Sequence, residues 1–346
     1  MWTWISGDNY FGSSGTFGIQ GVPSVNNSPP ALYEAAEWKD KQGNFWLYGG
    51  CTSVGMYSDL WKYNSISNEW TWVKGNGSIN QSAMYGTQGI PNIANTPGNR
   101  GWGCLSWTDT TGNLWLFGGG IFTGINNLSS DLWKYDITSN EWTWINGSTS
   151  LNTIGNHGTQ GIPSASNRPG ARAETASSWT DENNNLWILG GYGFDDAGTL
   201  NVLNDLMKYD ISTNEWTWMS GSALALATNN YGMKGVSSVS NVLGARGTYS
   251  KWKDIQGNFW LMGGSGPGVL YSDVWIYNRS INGHGWQDRT YLLITEHIKV
   301  CVRMILLIDQ QLDQKIGPLL QIIVVDFGCS VVLVAEMICG FLIRNE

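Results

Sequence analysis

An all-β chain of four tandem antiparallel sheets is what the sequence predicts, on three observations. A unit opened by Trp38, Trp107, Trp179 and Trp252 recurs at nearly equal steps along the chain, and a fixed period of this kind marks a repeat architecture. Each unit carries a strand-like run ending in two glycines: FWLYGG at 45–50, LWLFGG at 114–119, LWILGG at 186–191 and FWLMGG at 259–264. The chain's 21 Trp and 45 Gly among 346 residues far exceed ordinary usage and imply many short strands joined by tight turns.

Within a unit the elements follow in a constant order. The opening Trp stands a fixed short distance before a second one (Trp38 and Trp46, Trp107 and Trp115, Trp179 and Trp187, Trp252 and Trp260), with Asp, Asn or Gly clusters between them. That spacing predicts a hairpin of strands a and b. After the double glycine comes a loop of variable length, then DLWKY at 59 and 131, DLMKY at 205 and DVWIY at 273. A polar turn and E-W-T-W follow, as at 64–72, completing strands c and d. The connection from strand d to the next strand a is long but constant: Trp4 to Trp38, Trp72 to Trp107, Trp144 to Trp179 and Trp218 to Trp252 agree in length to within a single position. It repeats its own text, in YGTQGIPNIANTPGNR (85–100), HGTQGIPSASNRPGAR (157–172) and YGMKGVSSVSNVLGAR (231–246). A constant length without regular structure implies a loop packed against the sheets.

The double glycine after strand b, the Tyr and Trp seven apart across the c–d turn (Tyr63 and Trp70, Tyr135 and Trp142, Tyr209 and Trp216) and the Arg before strand a (Arg100, Arg172, Arg246) together resemble the kelch repeat. The resemblance covers residues 2–282 and is similar to a long form found in bacterial proteins described as galactose-oxidase-like. It implies a β-propeller with four recognisable four-stranded blades at about 32–72, 100–144, 172–218 and 246–282. Where those arginines stand the first unit has Leu32, which makes that blade the divergent one. The opening MWTWISG (1–7) matches EWTWVKG (69–75), so residues 2–5 read as a lone strand d that completes a blade at the other end of the chain, and not as a secretory signal.

Positions 283–346 break the pattern: Trp and Gly become scarce, Ile, Leu and Val abound, and the stretch reads as an irregular tail. A hydrophobic module or membrane anchor is one reading, but Asp326 and Glu336 interrupt the apolar run, and no membrane span is expected. A frameshift is the other. Reading the third base of each tail codon with the first two of the next, GHGWQD (283–288) permits T-W-M-A-G, close to TWMSG at 217–221. Likewise 326–340 permits F-W-L-F-G-G-S-G-G-R-N-D-L-W, strands b and c of a fifth blade. The codons favour this second reading.

A net charge of -8 and pI near 4.9 leave no basic stripe, so nucleic acid is not an expected partner. The five cysteines show neither a disulfide nor a zinc-knuckle spacing. Galactose oxidase uses a copper site with histidine, tyrosine and a thioether-linked cysteine. This chain has three histidines, His157, His284 and His297, two of them in the tail, and no cofactor or catalytic residue is expected. Carboxylates and arginines repeated in every unit read as serving each blade. Function is then expected on surface unique to one blade. The variable b–c loop and the d–a connection leave a four-stranded blade on one face, and there Trp102, His157, Tyr192, Phe194, Asp195 and Asp196 are the candidate binding residues. The expectation is a non-catalytic scaffold for a protein or a glycan. Its rivals are a fragment of a carbohydrate-active or galactose-oxidase-like enzyme, and a non-functional product of a decayed gene.

Overall fold

A computed structural model describes residues 1–122, 127–173, 176–247 and 249–278, and the backbone of 321–326 and 331–336. The chain divides into two units. The first comprises Met1–Tyr231, Val242–Lys253 and Phe259–Tyr277 and holds four sheets.

The first sheet has strands β1 (Ala36–Lys39), β2 (Phe45–Tyr48), β3 (Leu60–Asn64) and β4 (Glu69–Lys74), and the second β5 (Leu105–Thr108), β6 (Leu114–Phe117), β7 (Leu132–Asp136) and β8 (Glu141–Asn146). The third adds a short β9 (Arg172–Ala173) to β10 (Ser177–Thr180), β11 (Leu186–Phe194), β12 (Leu200–Asp210) and β13 (Glu215–Ser220). The fourth is β14 (Ser250–Lys253), β15 (Phe259–Gly266) and β16 (Val269–Tyr277). Each is an antiparallel meander in chain order, as the repeat predicts. The paired tryptophans of strands a and b are direct cross-strand partners: Trp38 with Trp46, Trp107 with Trp115, Trp179 with Trp187, Trp252 with Trp260.

Successive sheets stack face to face as the blades of a four-bladed, propeller-like arrangement. Trp38, Trp46, Tyr48 and Leu60 of the first blade enclose a core with Leu114, Leu116, Trp133, Tyr135 and Trp142 of the second. The second meets the third through the same positions, Trp107, Trp115, Phe117 and Leu132 against Leu186, Ile188, Met207, Tyr209 and Trp216. The third meets the fourth through Trp179, Trp187, Leu189 and Leu206 against Phe259 and Leu261. Each buried ring removes roughly 150–250 Å² from water, so the wedge between blades is where the fold gains its hydrophobic stabilisation. The strand-a indoles also cross each wedge. Trp38 Nε1 donates to the Trp115 carbonyl at 3.0 Å, Trp107 Nε1 to that of Trp187 at 3.2 Å, and Trp179 Nε1 to that of Trp252 at 3.1 Å.

The Tyr and Trp seven apart pair across strands c and d with ring centroids 4.9–5.1 Å apart, and each tyrosine hydroxyl donates to an asparagine of the turn, Asn68, Asn140 or Asn214. The constant connection lies along the outer strand of the blade it enters. Gly21 and Ser24 donate to the carbonyls of Trp72 and Trp70, Gly89 and Asn92 to those of Trp144 and Trp142, and Gly161 and Ser164 to those of Trp218 and Trp216. The free edge of each strand d is thereby covered, which removes the template that an exposed edge offers to other chains.

The N-terminal segment departs from expectation. Residues 2–5 form no strand, and Trp2 is fully exposed and Trp4 largely so. The physical reason is the lack of a partner: among the described residues no fifth set of strands a to c exists for the segment to join. The fourth blade, by contrast, has three strands among the described residues, where the repeat is interrupted.

The second unit comprises Gly232–Asn241, Asp254–Asn258 and Asn278–Glu346. Its Asp254 carboxylate accepts the amides of Gln256 and Asn258, and β17 (Gln321–Asp326) pairs antiparallel with β18 (Val331–Glu336). The other expectations for the tail lie outside the described residues: the recovered T-W-M-A-G at 283–288, most of the fifth-blade text at 326–340, His284 and His297.

Candidate functional site

The third blade is built to reach beyond the sheet. Its central strands β11 and β12 run to Phe194 and Leu200, past the double glycine where the corresponding strands of the first two blades stop. Asp195 closes the resulting hairpin: its carboxylate accepts the amides of Ala197 at 2.9 Å, Thr199 at 2.7 Å and Ala225 at 2.9 Å. Three hydrogen bonds to a buried carboxylate fix the tip without a charged partner. The b–c loops and the start of the d–a connections are tied together on this face. Leu128 and Asn152 exchange two hydrogen bonds, as Met56 and Asn80 do in the first blade.

Under the hairpin, Leu128, Ala171 and Ala173 form a small buried core, against which Trp102, Tyr192, Phe194 and Leu200 pack half-buried. Trp102 adopts φ +52°, an unusual conformation for a bulky residue. Its ring lies against Gly120, where a Cβ would meet it at 2.4 Å. Trp102 and the two β11 rings Tyr192 and Phe194, far from it in sequence, thus pack on one small core.

His157 and Asp196 form the second part. Asp196 takes the His157 amide at 3.0 Å on one carboxylate oxygen and Nδ1 at 2.7 Å on the other, while Nε2 stands 3.0 Å from Asp205 Oδ2. The ring meets Trp218 edge-on. Burial works against charging His157, but its hydrogen bonds and charge interactions with Asp205 and Asp196 outweigh it, and the pKa is raised. Arg172 grips Asp205 at 2.9 and 2.7 Å. Burial opposes the Asp205 charge as well, yet Arg172 and His157 hold its pKa well below the ordinary carboxylate range.

Seen across blades, His157 occupies a repeated position. Tyr85 and Tyr231 stand at the matching places, each donating its hydroxyl to the strand-c aspartate, Asp131 at 2.9 Å and Asp273 at 2.8 Å. Arg100 and Arg246 pair with those same carboxylates. The arginine, the aspartate and the polar aromatic ring therefore make one polar cluster in each of three blades, buried in the third and more open in the fourth, where Tyr231 is exposed. In the first blade the arginine is Leu32 and the ring is Phe17, tilted against Trp61 with centroids 5.1 Å apart. Asp59 there accepts Trp72 Nε1 and the Gly77 amide on Oδ1, Oδ2 has no hydrogen-bond partner, and burial pushes the pKa up to about 6.

Of the six sequence candidates, Trp102, Tyr192, Phe194 and Asp196 are partly exposed on the long-loop face, whereas His157 and Asp195 are buried, with their polar atoms engaged inside the protein. Of the residues that complete the cluster, Leu128 and Leu200 carry no sequence signal beyond lying in the variable loops, and Ala171 stands in the repeated connection beside Arg172. Asp59 did carry one: two departures from the repeat, Leu32 and Phe17, converge on it. Among the described residues no three His, Cys, Asp or Glu side chains converge as metal ligands. No described helix is long and apolar enough to cross a membrane. No family model matches this chain, and no curated protein matches it in sequence.

Proposed function

We propose that the protein is a kelch-type propeller scaffold, non-catalytic, that binds a protein or a glycan through its long-loop face. The observation that carries the reading is the half-buried cluster of Trp102, Tyr192 and Phe194 beside the Asp195–Asp196 hairpin. Partly exposed aromatic rings on a rigid support offer a ligand apolar area at little cost in side-chain entropy, and Asp196 adds an acceptor at their edge. The kelch assignment is supported by the double glycines, the Tyr–Trp pairs and the arginine–aspartate pair of three blades, which agree as a set. The frameshift reading of 283–346 is supported by the repeat's breaking off in mid-unit after Asn282, where E-W-T-W is due; sequencing the gene around Asn282 in all three frames tests it.

Binding is tested with a glycan array and a pull-down, each run with the wild type and with Trp102→Ala. Loss of one aromatic anchor should weaken a genuine ligand by about 2 kcal/mol, roughly thirtyfold in Kd. Retention of full affinity by Trp102→Ala and by Tyr192→Ala would remove the cluster from the binding surface.

A further inference from the structure

His157 holds the place that a tyrosine holds in the second and fourth blades, and the exchange changes what the ring can do. Tyr85 and Tyr231 each end in one hydroxyl, which goes to the strand-c aspartate. An imidazole carries two nitrogens. Nε2 takes over the tyrosine's task, 3.0 Å from Asp205, and Nδ1 is left to reach Asp196 at 2.7 Å. Asp196 lies in the longest of the b–c loops, and no b–c loop of the other three blades contains an acidic residue. Two departures from the repeat, a histidine in the connection and a carboxylate in the loop, thus answer each other.

The geometry fixes the charge of the ring. A neutral imidazole has one N–H and one lone pair, so only the imidazolium gives a proton to a carboxylate on each side. Burial opposes that charge, yet Asp205 first and Asp196 second outweigh it and raise the pKa above its ordinary 6.5. Around the ring, Arg172 of β9 holds both oxygens of Asp205, and Trp218 of β13 presents an uncharged edge. Arg168, on the same connection, gives Nε to the Ile154 carbonyl at 3.3 Å, and Tyr249, ahead of β14, gives its hydroxyl to that of Leu189 at 2.7 Å. When the proton leaves, one carboxylate must face a lone pair. The Asp205 side chain is 1% exposed and stays charged beside Arg172, whereas that of Asp196 is 28% exposed and has water to turn to. The less costly tautomer therefore keeps Nε2–H on Asp205 and sets the bare Nδ1 against Asp196.

We propose that His157 is a proton-operated latch on the tip of the third-blade hairpin: charged, it ties Asp196 to the buried Asp205, and on losing its proton it keeps Asp205 and releases the Asp196 carboxylate to solvent. The latch is fully closed below about pH 6.5 and opens as pH rises through the raised pKa of the folded state. Release loosens the tip without opening the hairpin, because Asp195 keeps the amides of Ala197, Thr199 and Ala225, and the Asp196 amide keeps the Ala223 carbonyl at 3.1 Å. The His157 amide, which donates to Asp196 Oδ2 at 3.0 Å, reports the release directly. The pair loses one positive charge, and a free carboxylate appears on the hairpin that carries Tyr192 and Phe194. Resting on the reading of that face as the binding surface, the latch makes a ligand that donates hydrogen bonds or carries positive charge bind more tightly above the transition.

The full chain labelled with ¹⁵N-histidine tests this, since it holds only three histidines and His157→Gln identifies the signal. At about pH 5 both ring nitrogens of His157 should carry protons, and above a transition higher than 6.5 only Nε2 should. Amide exchange over 155–158 and 195–199, corrected for the intrinsic rate at each pH, should speed up roughly tenfold or more across the same transition. His157→Tyr, which restores the residue of the second and fourth blades, should remove that pH dependence. So should Asp196→Asn, which leaves the buried cluster intact and should lower the His157 transition. The latch is overturned if one ring nitrogen is bare at about pH 5, if Nδ1–H is the neutral tautomer, or if the acceleration survives in both variants. For a ligand found on the array, an affinity unchanged across the transition would remove Asp196 from the ligand site and leave the latch standing.

Discussion

Asp59 brings a carboxylate into the first blade without either of the groups that hold its counterparts, and the consequence is a titration. Its ordinary pKa of 3.8 rises to about 6 because burial penalises the charge and neither an arginine nor a hydroxyl answers it. A carboxyl whose folded pKa lies above its unfolded value binds more protons when folded between those two values, so its contribution to stability grows as pH falls through about 6 toward 3.8 and is absent above. Asp59→Asn should therefore stabilise the protein at pH 7 by on the order of 3 kcal/mol and flatten the stability profile in that window. Urea titrations of both proteins at pH 4.5, 6 and 7.5 check the sign. The third blade gives the converse case. Arg172→Leu recreates the first blade's arrangement around Asp205 but leaves a buried carboxylate facing only His157, and should cost about 3–5 kcal/mol. Thermal unfolding that matches the wild type would show that the arginine adds nothing net.

At the scale of the strand, the double glycine is the hinge on which each blade meets the next. Gly118 and Gly119 both have positive φ, 65° and 96°, and the Gly119 amide donates to the Arg172 carbonyl at 2.9 Å. A Cβ on Gly118 would stand 2.6 Å from that same carbonyl oxygen. Gly118→Ala thus combines backbone strain with a clash against main chain that cannot turn aside, whereas Gly89→Ala, at φ 78° with nothing within 4 Å, has the strain alone. The first should destabilise by about 1–3 kcal/mol more than the second in chemical denaturation, and equal losses would mean that the interface yields. The constant connection has its own logic. Gln20, Gln88 and Gln160 donate to the carbonyls of Gly75, Ile145 and Met219, and Asn27, Asn95 and Asn167 to those of Trp70, Trp142 and Trp216. An irregular segment whose side chains bond at fixed points along a strand cannot change length without losing them, which is why its length does not drift from one blade to the next.

Over the whole molecule, stability passes from blade to blade, since a single sheet with two apolar faces is sound only between neighbours. The blades, their strand order and their turns were legible in the sequence because each is written by local chemistry repeated four times: Asp, Asn and Gly at hairpins, alternating rings in strands, paired glycines where φ must be positive. The candidate site was legible in part. Departure from the repeat pointed to the long-loop face and to Trp102, Tyr192 and Phe194, but not to their meeting around Leu128 and Ala171, because that core joins a variable loop of one repeat to the connection and hairpin of the next. His157 was read as surface. Its burial follows from the position that Tyr85 also holds, one that reaches the buried strand-c aspartate. Thus the sequence alone determined what recurs, since periodicity is a property of the chain. Only the tertiary structure decided which residues become neighbours and which buried carboxylate, Asp59, has no arginine beside it, because burial and pairing depend on what the rest of the fold brings alongside.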